Sequence, residues 1–223
     1  MPKVFHVQPI DALRDDRGKL IRKLPVFDPK EHCEHDTLLI SGDGASLPAE
    51  VKEFESWGIP HDVFAVNKSL LFFQRPVRHW TAVDAEESAW FAENLKEDVL
   101  PVKGRLLRHT IGICTIGYDV FWEAVEPMHN EMQSRLWVGN TGYFALLAAI
   151  YMGYKRIVLA GIPLDMNRCW YEAADAVGPH WVPETYTTWM DFKMKVPEAD
   201  RARSMGGYSG FILGQATKEW CNV

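Results

Sequence analysis

Residues 38–48 read LLISGDGASLP, an apolar run that breaks without transition into Gly42-Asp43-Gly44-Ala45-Ser46. The run suits a strand buried on both faces, and two glycines suit a turn where backbone comes close to something else. That something is either a phosphate or another piece of the chain. Working outward, TLLIS, DVFAVN, HWTAVD, RLLRHTIGI and RIVLAGI share the texture of buried strands. Between them, Pro48 to Trp57 and Glu86 to Leu95 carry apolar residues at helical spacing. This alternation predicts an α/β fold, a doubly wound and mainly parallel sheet with helices on both faces.

The 223 residues are 47% hydrophobic and 24% charged, enough for one large core. Residues 1–36 read as an N-terminal extension or hairpin around Arg14-Asp15-Asp16-Arg17-Gly18, where no chemistry is expected, and residues 37–223 as the main domain. The net charge of -6 argues against a general nucleic-acid binder. The longest apolar stretch, Tyr143 to Met152, is too short to span a bilayer, and the N-terminus lacks the apolar core of a signal peptide, so a cytoplasmic location is expected. That stretch must be covered by something, which leaves a homo-oligomer open. Cys33, Cys114, Cys169 and Cys221 show no pairing motif, so free thiols are expected.

In an open parallel sheet, ligands sit beyond the carboxyl ends of the strands. Here those ends carry Gly42 to Ser46, then Asn67-Lys68-Ser69, then Asp84-Ala85-Glu86, then Gly161-Ile162-Pro163-Leu164-Asp165, and all four are expected to converge on one crevice. A further turn, Gly139-Asn140-Thr141-Gly142, precedes the helix YFALLAAIYMGY. A helix start offers unpaired N–H groups and the positive end of its dipole, and Thr141 is suited to cap it while the glycines admit an anion.

The set SGDGASL, DVFAVN and GNTGYFALLAAIYMGYKRIVLAGIPLD resembles the pattern of bacterial CMP-sialic-acid-dependent sialyltransferases. It is similar also to the related Rossmann-like archaeal hydroxymethyl-dihydropterin diphosphokinases. The likeness covers residues 37–90 and 135–172. It implies a Rossmann-like domain that binds a nucleotide or nucleotide-sugar of CMP type, with Gly42, Asp43, Gly44 and Ser46 at the phosphates or ribose. It further implies that Asn67 bonds the nucleotide or donor sugar, that Asp84 faces the crevice, and that Asn140, Thr141, Gly142 and Gly161 line its other side. Tyr171 falls where the sialyltransferases keep a tyrosine that stabilises the departing phosphate.

The departures narrow this reading. Asp43 and Asp84 stand where the resemblance expects asparagine, and Asp165 where it expects a tyrosine. Three carboxylates near a phosphate repel it unless a cation such as Mg²⁺ intervenes, which favours the diphosphokinase-like alternative with Asp43, Asp84 and Asp165 as metal ligands. No histidine follows His180, so His180 or a carboxylate has to serve as the base that deprotonates the acceptor.

Two other clusters stand out. His32, Cys33, Glu34 and His35 form an HCEH run with no second ligand pair at zinc spacing, so a zinc site is disfavoured there. Trp170, Tyr171, His180, Trp181, Tyr186 and Trp189 crowd the region from about 165 to 210, read as a lid or acceptor surface, with Arg201 and Arg203 placed to clamp a phosphate. The expectation is a transferase, most of all a sialyltransferase-like glycosyltransferase in which Tyr171 and Arg203 stabilise the leaving phosphate. The acceptor stays open, and a non-catalytic nucleotide-binding or interaction module is the remaining alternative.

Overall fold

The computed structural model describes residues 6–14, 17–75, 77–82, 106–111, 119–125, 141–165, 168–173 and 182–222. Its centre is β4 (Thr37–Ser41), the predicted strand TLLIS, buried along its whole length. The serine at its end is tolerated because its hydroxyl meets the Ser69 hydroxyl at 3.0 Å. β5 (Asp62–Val66) pairs with it in parallel on one edge, and β9 (Arg156–Ala160) on the other. Beyond β5 follow β6 (His79–Thr81), β7 (Leu107–Ile111) and β8 (Val120–Val125), and beyond β9 lies β10 (Ala202–Ser204), all parallel. Among the described residues the main sheet has eight strands, because β1 (His6–Pro9) joins it antiparallel to β8.

Helices cover both faces. α2 (Leu47–Ser56) starts with Pro48 in its first turn and turns Leu47, Val51 and Phe54 onto Leu39, Val63 and Ala65, a stripe at helical spacing over the inward side chains of β4 and β5. α3 (Thr141–Met152) lies on the opposite face over Leu38, Ile40 and Phe64. It is apolar on nearly all sides and correspondingly buried from Tyr143 to Ala149. Its cover is supplied within the chain, by the sheet and by α4 (Val182–Lys195), whose Trp189 and Phe192 set ring contacts of 5.6 and 5.7 Å on Tyr143. The fold is therefore α/β, doubly wound and Rossmann-like. No helix among the described residues is long and apolar enough to cross a membrane.

The periphery is small. β2 (Ala12–Arg14) and β3 (Leu20–Lys23) form a separate antiparallel hairpin, closed by Arg14 donating to the Gly18 carbonyl at 3.1 Å. α1 (Pro29–His32) is capped by Asp28. After β10 come α5 (Gly207–Leu213) and α6 (Lys218–Cys221). Among the described residues Cys33, Cys169 and Cys221 are unpaired thiols, and burial raises the pKa of each, that of Cys169 and Cys221 to about 11.

Candidate functional site at the sheet rim

The chain leaves β4 toward β5 through α2 on one face and reaches β9 from α3 on the other. The carboxyl ends of β4 and β9 thus form the point where strand order reverses, the usual ligand position in such sheets. The glycine loop sits there, and what approaches it is chain. Gly42 donates to the Ala160 carbonyl and Gly44 to the Gly161 carbonyl, both at 2.8 Å. A Cβ on Gly42 would fall 2.6 Å from the Gly161 carbonyl oxygen, and one on Gly44 would fall 2.5 Å from Pro163 Cδ. Gly161 has φ +66, and a Cβ there would meet the Gly42 carbonyl oxygen at 2.6 Å. Loop-on-loop packing by itself therefore accounts for Gly42, Gly44 and Gly161 as glycines. Glu50 of α2 braces the arrangement by accepting the Gly161 N–H at 2.7 Å; burial raises its pKa against that bond and the facing Ser46 hydroxyl.

Asp43 ties three segments together. Its carbonyl accepts the Trp170 N–H at 2.9 Å, and its carboxylate accepts the Lys68 N–H at 3.3 Å. Next to it Asn67 holds φ +51, a left-handed conformation that asparagine tolerates better than most residues. The Asn67 carbonyl accepts from the Trp80 indole at 3.0 Å. Ser69 is fully committed to structure, bonding Ser41 and the Val66 N–H. Over this floor Lys68 Nζ stands 5.0 Å from the Tyr171 ring centroid, and Trp170 meets Phe72 and Tyr171 edge-on, each pair at 5.5 Å.

Among the described residues, the buried polar atoms near the carboxyl ends that have no hydrogen-bond partner include Asn67 Oδ1, Thr81 Oγ1, Thr141 Oγ1 and Trp170 Nε1. Such atoms are rare in a finished core, and each is costly unless something satisfies it. Gly142 lies beside Ile162 of the β9 loop, which brings the start of α3 to the same rim.

Other predicted residues fall elsewhere. Arg203 pairs with Val158 of β9, short of the strand end, and its guanidinium covers Trp220 at 4.9 Å while bonding the Gln215 carbonyl at 3.2 Å. These contacts remove it from the leaving-group role assigned from sequence. Asp165 lines a neighbouring cavity with Tyr186 and Tyr208. Of the three carboxylates expected around Mg²⁺, Asp43 is thus held by the Lys68 N–H and Asp165 faces different surroundings, while Asp84, like Asn140 and His180, lies outside the described residues. Of the aromatic run, Trp189 is core rather than lid.

The opposite end of the sheet holds a network that sequence reading missed. Asp62 Oδ2 accepts from the Glu34 and His35 N–H groups and from Tyr154 Oη, at 2.9, 3.2 and 3.0 Å. Tyr154 Oη also meets His79 Nε2 at 3.0 Å, His79 Nδ1 meets His109 Nε2 at 2.9 Å, and the Trp122 indole meets His109 Nδ1 at 3.1 Å. An indole only donates, and this fixes every proton. His109 carries hydrogen on Nε2 and gives it to His79; His79 carries hydrogen on Nε2 and gives it to Tyr154; Tyr154 donates to the Asp62 carboxylate. Both imidazoles are neutral donor-acceptors, and burial holds the pKa of His79 well below the usual histidine range and that of His109 at about 3.

Glu34, His35 and Asp62 place possible metal-ligand atoms within 4.8 Å of one another. The Asp62 carboxylate, however, is occupied by three donors, and Arg78 pairs with Glu34 and stands 3.9 Å from Asp62 Oδ1. A guanidinium already holds the charge balance a cation would need. Titration with Zn²⁺ is expected to leave the melting temperature unchanged; a rise that Glu34→Gln abolishes would place a metal there. No family model, curated protein or solved structure matches this chain.

Proposed function

We propose that the protein binds a nucleotide-type donor at the rim of β4, β5 and β9 and transfers a group from it, as a sialyltransferase-like glycosyltransferase does. The observation that carries this reading is the gathering of unsatisfied buried polar atoms, Asn67 Oδ1, Thr141 Oγ1 and Trp170 Nε1, near the point of strand-order reversal. Donor phosphates would lie toward the start of α3, where Thr141 and the first N–H groups face them. The Lys68–Tyr171 pair supplies a cation and a phenol to a departing phosphate, the role that sequence had divided between Tyr171 and Arg203. His180 is the proposed base for the acceptor hydroxyl.

Thermal-shift measurements with CMP, UDP, ATP and GTP, each with Mg²⁺ or EDTA, test the reading. A binding nucleotide at a hundred times its Kd adds about 2.7 kcal/mol, a rise of roughly 5–10 °C for a chain of this size. Stabilisation by CMP in EDTA is expected. Thr141→Val is expected to leave the apo protein as stable as before, because the hydroxyl makes no bond to lose, while abolishing the nucleotide shift. No response to any nucleotide would overturn the proposal in favour of an interaction module, and a response only with Mg²⁺ and ATP or GTP would replace it with the diphosphokinase-like reaction.

A further inference from the structure

Between α4 and α5 lies a cavity of about 740 Å³, within the range of roughly 300–1,000 Å³ typical of small-molecule sites. Its walls follow from helical spacing. On α4, Trp189 and Phe192 belong to the core, and the neighbouring stripe of Tyr186, Met190 and Met194, each four residues on from the last, faces the cavity. On α5, Ser209, Gly210 and Leu213 are buried, which leaves Tyr208, Phe211 and Ile212 to line the other wall.

The second wall is fixed in place by bonds made outside the cavity. The Tyr208 N–H donates to the Pro163 carbonyl at 2.8 Å, and the Ser209 hydroxyl donates to the Ile162 carbonyl at 2.6 Å. Gly207, at φ +66, lies so close to Pro163 that a Cβ would fall 2.5 Å from the proline Cα. α5 is thus held against the loop that leaves β9, and the Tyr186 and Tyr208 rings, 5.2 Å apart with planes at 79°, join the two walls.

Two phenol rings, a phenyl ring and two thioethers give the lining ring faces, ring edges and polarizable sulfur, the groups that suit a further aromatic ring. Charge favours neither sign. Asp165 and Lys193 both stand on the lining, one carboxylate and one ammonium, and Lys193 is itself paired with Asp200 at 2.6 Å. An ion of either sign would shed water against largely apolar walls and meet a like charge as well as an opposite one. A neutral ring sheds little water and covers Met190, Met194, Tyr208 and Phe211, which are 50%, 68%, 55% and 89% exposed.

We propose that this cavity binds an uncharged aromatic small molecule, its rings set against the Tyr186–Tyr208 pair and flanked by Met190, Met194 and Phe211. The site is separate from the proposed nucleotide site and stands or falls without it.

Calorimetric titration of the full chain with naphthylethanol, naphthylacetate and naphthylethylamine, which share one ring system and differ in charge, is the test. The neutral alcohol is expected to bind at least tenfold tighter than either the anion or the cation. Met190→Gln and Tyr208→Ala, both at exposed positions, are each expected to weaken the alcohol about tenfold while the melting temperature stays unchanged. No binding of the alcohol, a charged probe that binds as tightly, or variants that bind like the wild type would each overturn the proposal. A dimer in sedimentation that Tyr208→Ala dissociates would also overturn it, by assigning the face to a second copy of the chain.

Discussion

Replacing Gly161 by alanine is expected to destabilise the protein by about 2–5 kcal/mol, the sum of forcing a side chain into left-handed backbone and overpacking a closed contact. The new methyl group would have to enter space held by the Gly42 carbonyl oxygen at 2.6 Å and Leu47 Cβ at 2.8 Å. Neither can yield without pulling the two rim loops apart. Urea denaturation measures the loss. Gly18→Ala is the control: Gly18 also has positive φ, +76, but nothing lies within 4 Å of the added Cβ, so only the backbone term of about 1–2 kcal/mol applies. Equal losses at the two positions would refute the loop-on-loop account of the glycines.

Acid is expected to act through the buried histidines. His79 and His109 have folded-state pKa values below that of an unfolded histidine, about 6.5. As pH falls past that value, the unfolded chain takes up protons that the folded chain refuses. Stability is therefore complete above about pH 6.5 and declines below it, each histidine contributing a slope that approaches about 1.4 kcal/mol per pH unit. For His109 the decline continues to about pH 3. From His109 alone, the unfolding free energy at pH 7.5 should exceed that at pH 4.5 by about 2.5 kcal/mol, and His79 adds to the difference in the same direction. Tyr154→Phe should cost a further 2–4 kcal/mol or so at neutral pH, because His79 Nε2–H loses its acceptor and Asp62 a donor. A flat pH profile would mean that the imidazoles reach solvent.

What the sequence made legible was the five strands β4, β5, β6, β7 and β9, since short apolar runs ending in a glycine or a polar residue declare buried parallel strands on their own, whereas β1, β8 and β10 were not read as strands of this sheet. The meaning of the glycines was not legible, because Gly42 and Gly161 meet only once β4 and β9 have paired. Arg203 was misjudged for a similar reason: its position in β10 turns it onto Trp220, and nothing local announces that pairing. The Asp62–Tyr154–His79–His109 chain did leave a trace. A histidine at an inward position of an apolar strand, as in HWT and LRH, has to find polar company in the core, and two such strands side by side are each other's natural partners. Asp165 was placed correctly after a strand, but the cavity it enters is made by helices folded from residues well downstream.

The pairing of Thr37 with Arg156 across the middle of the sheet carries a consequence for how the protein is made. On the ribosome β4 emerges early with one edge satisfied by β5, and its other edge stays open until α3 and β9 have been synthesised. During that interval an open edge whose central residues are Leu38, Leu39 and Ile40 is exposed to any passing strand, the condition under which chains associate wrongly or recruit chaperones. β1 waits similarly for β8. Assembly is thus dominated by closure of distant segments, which places this chain among slow folders whose yield falls as synthesis concentration and temperature rise.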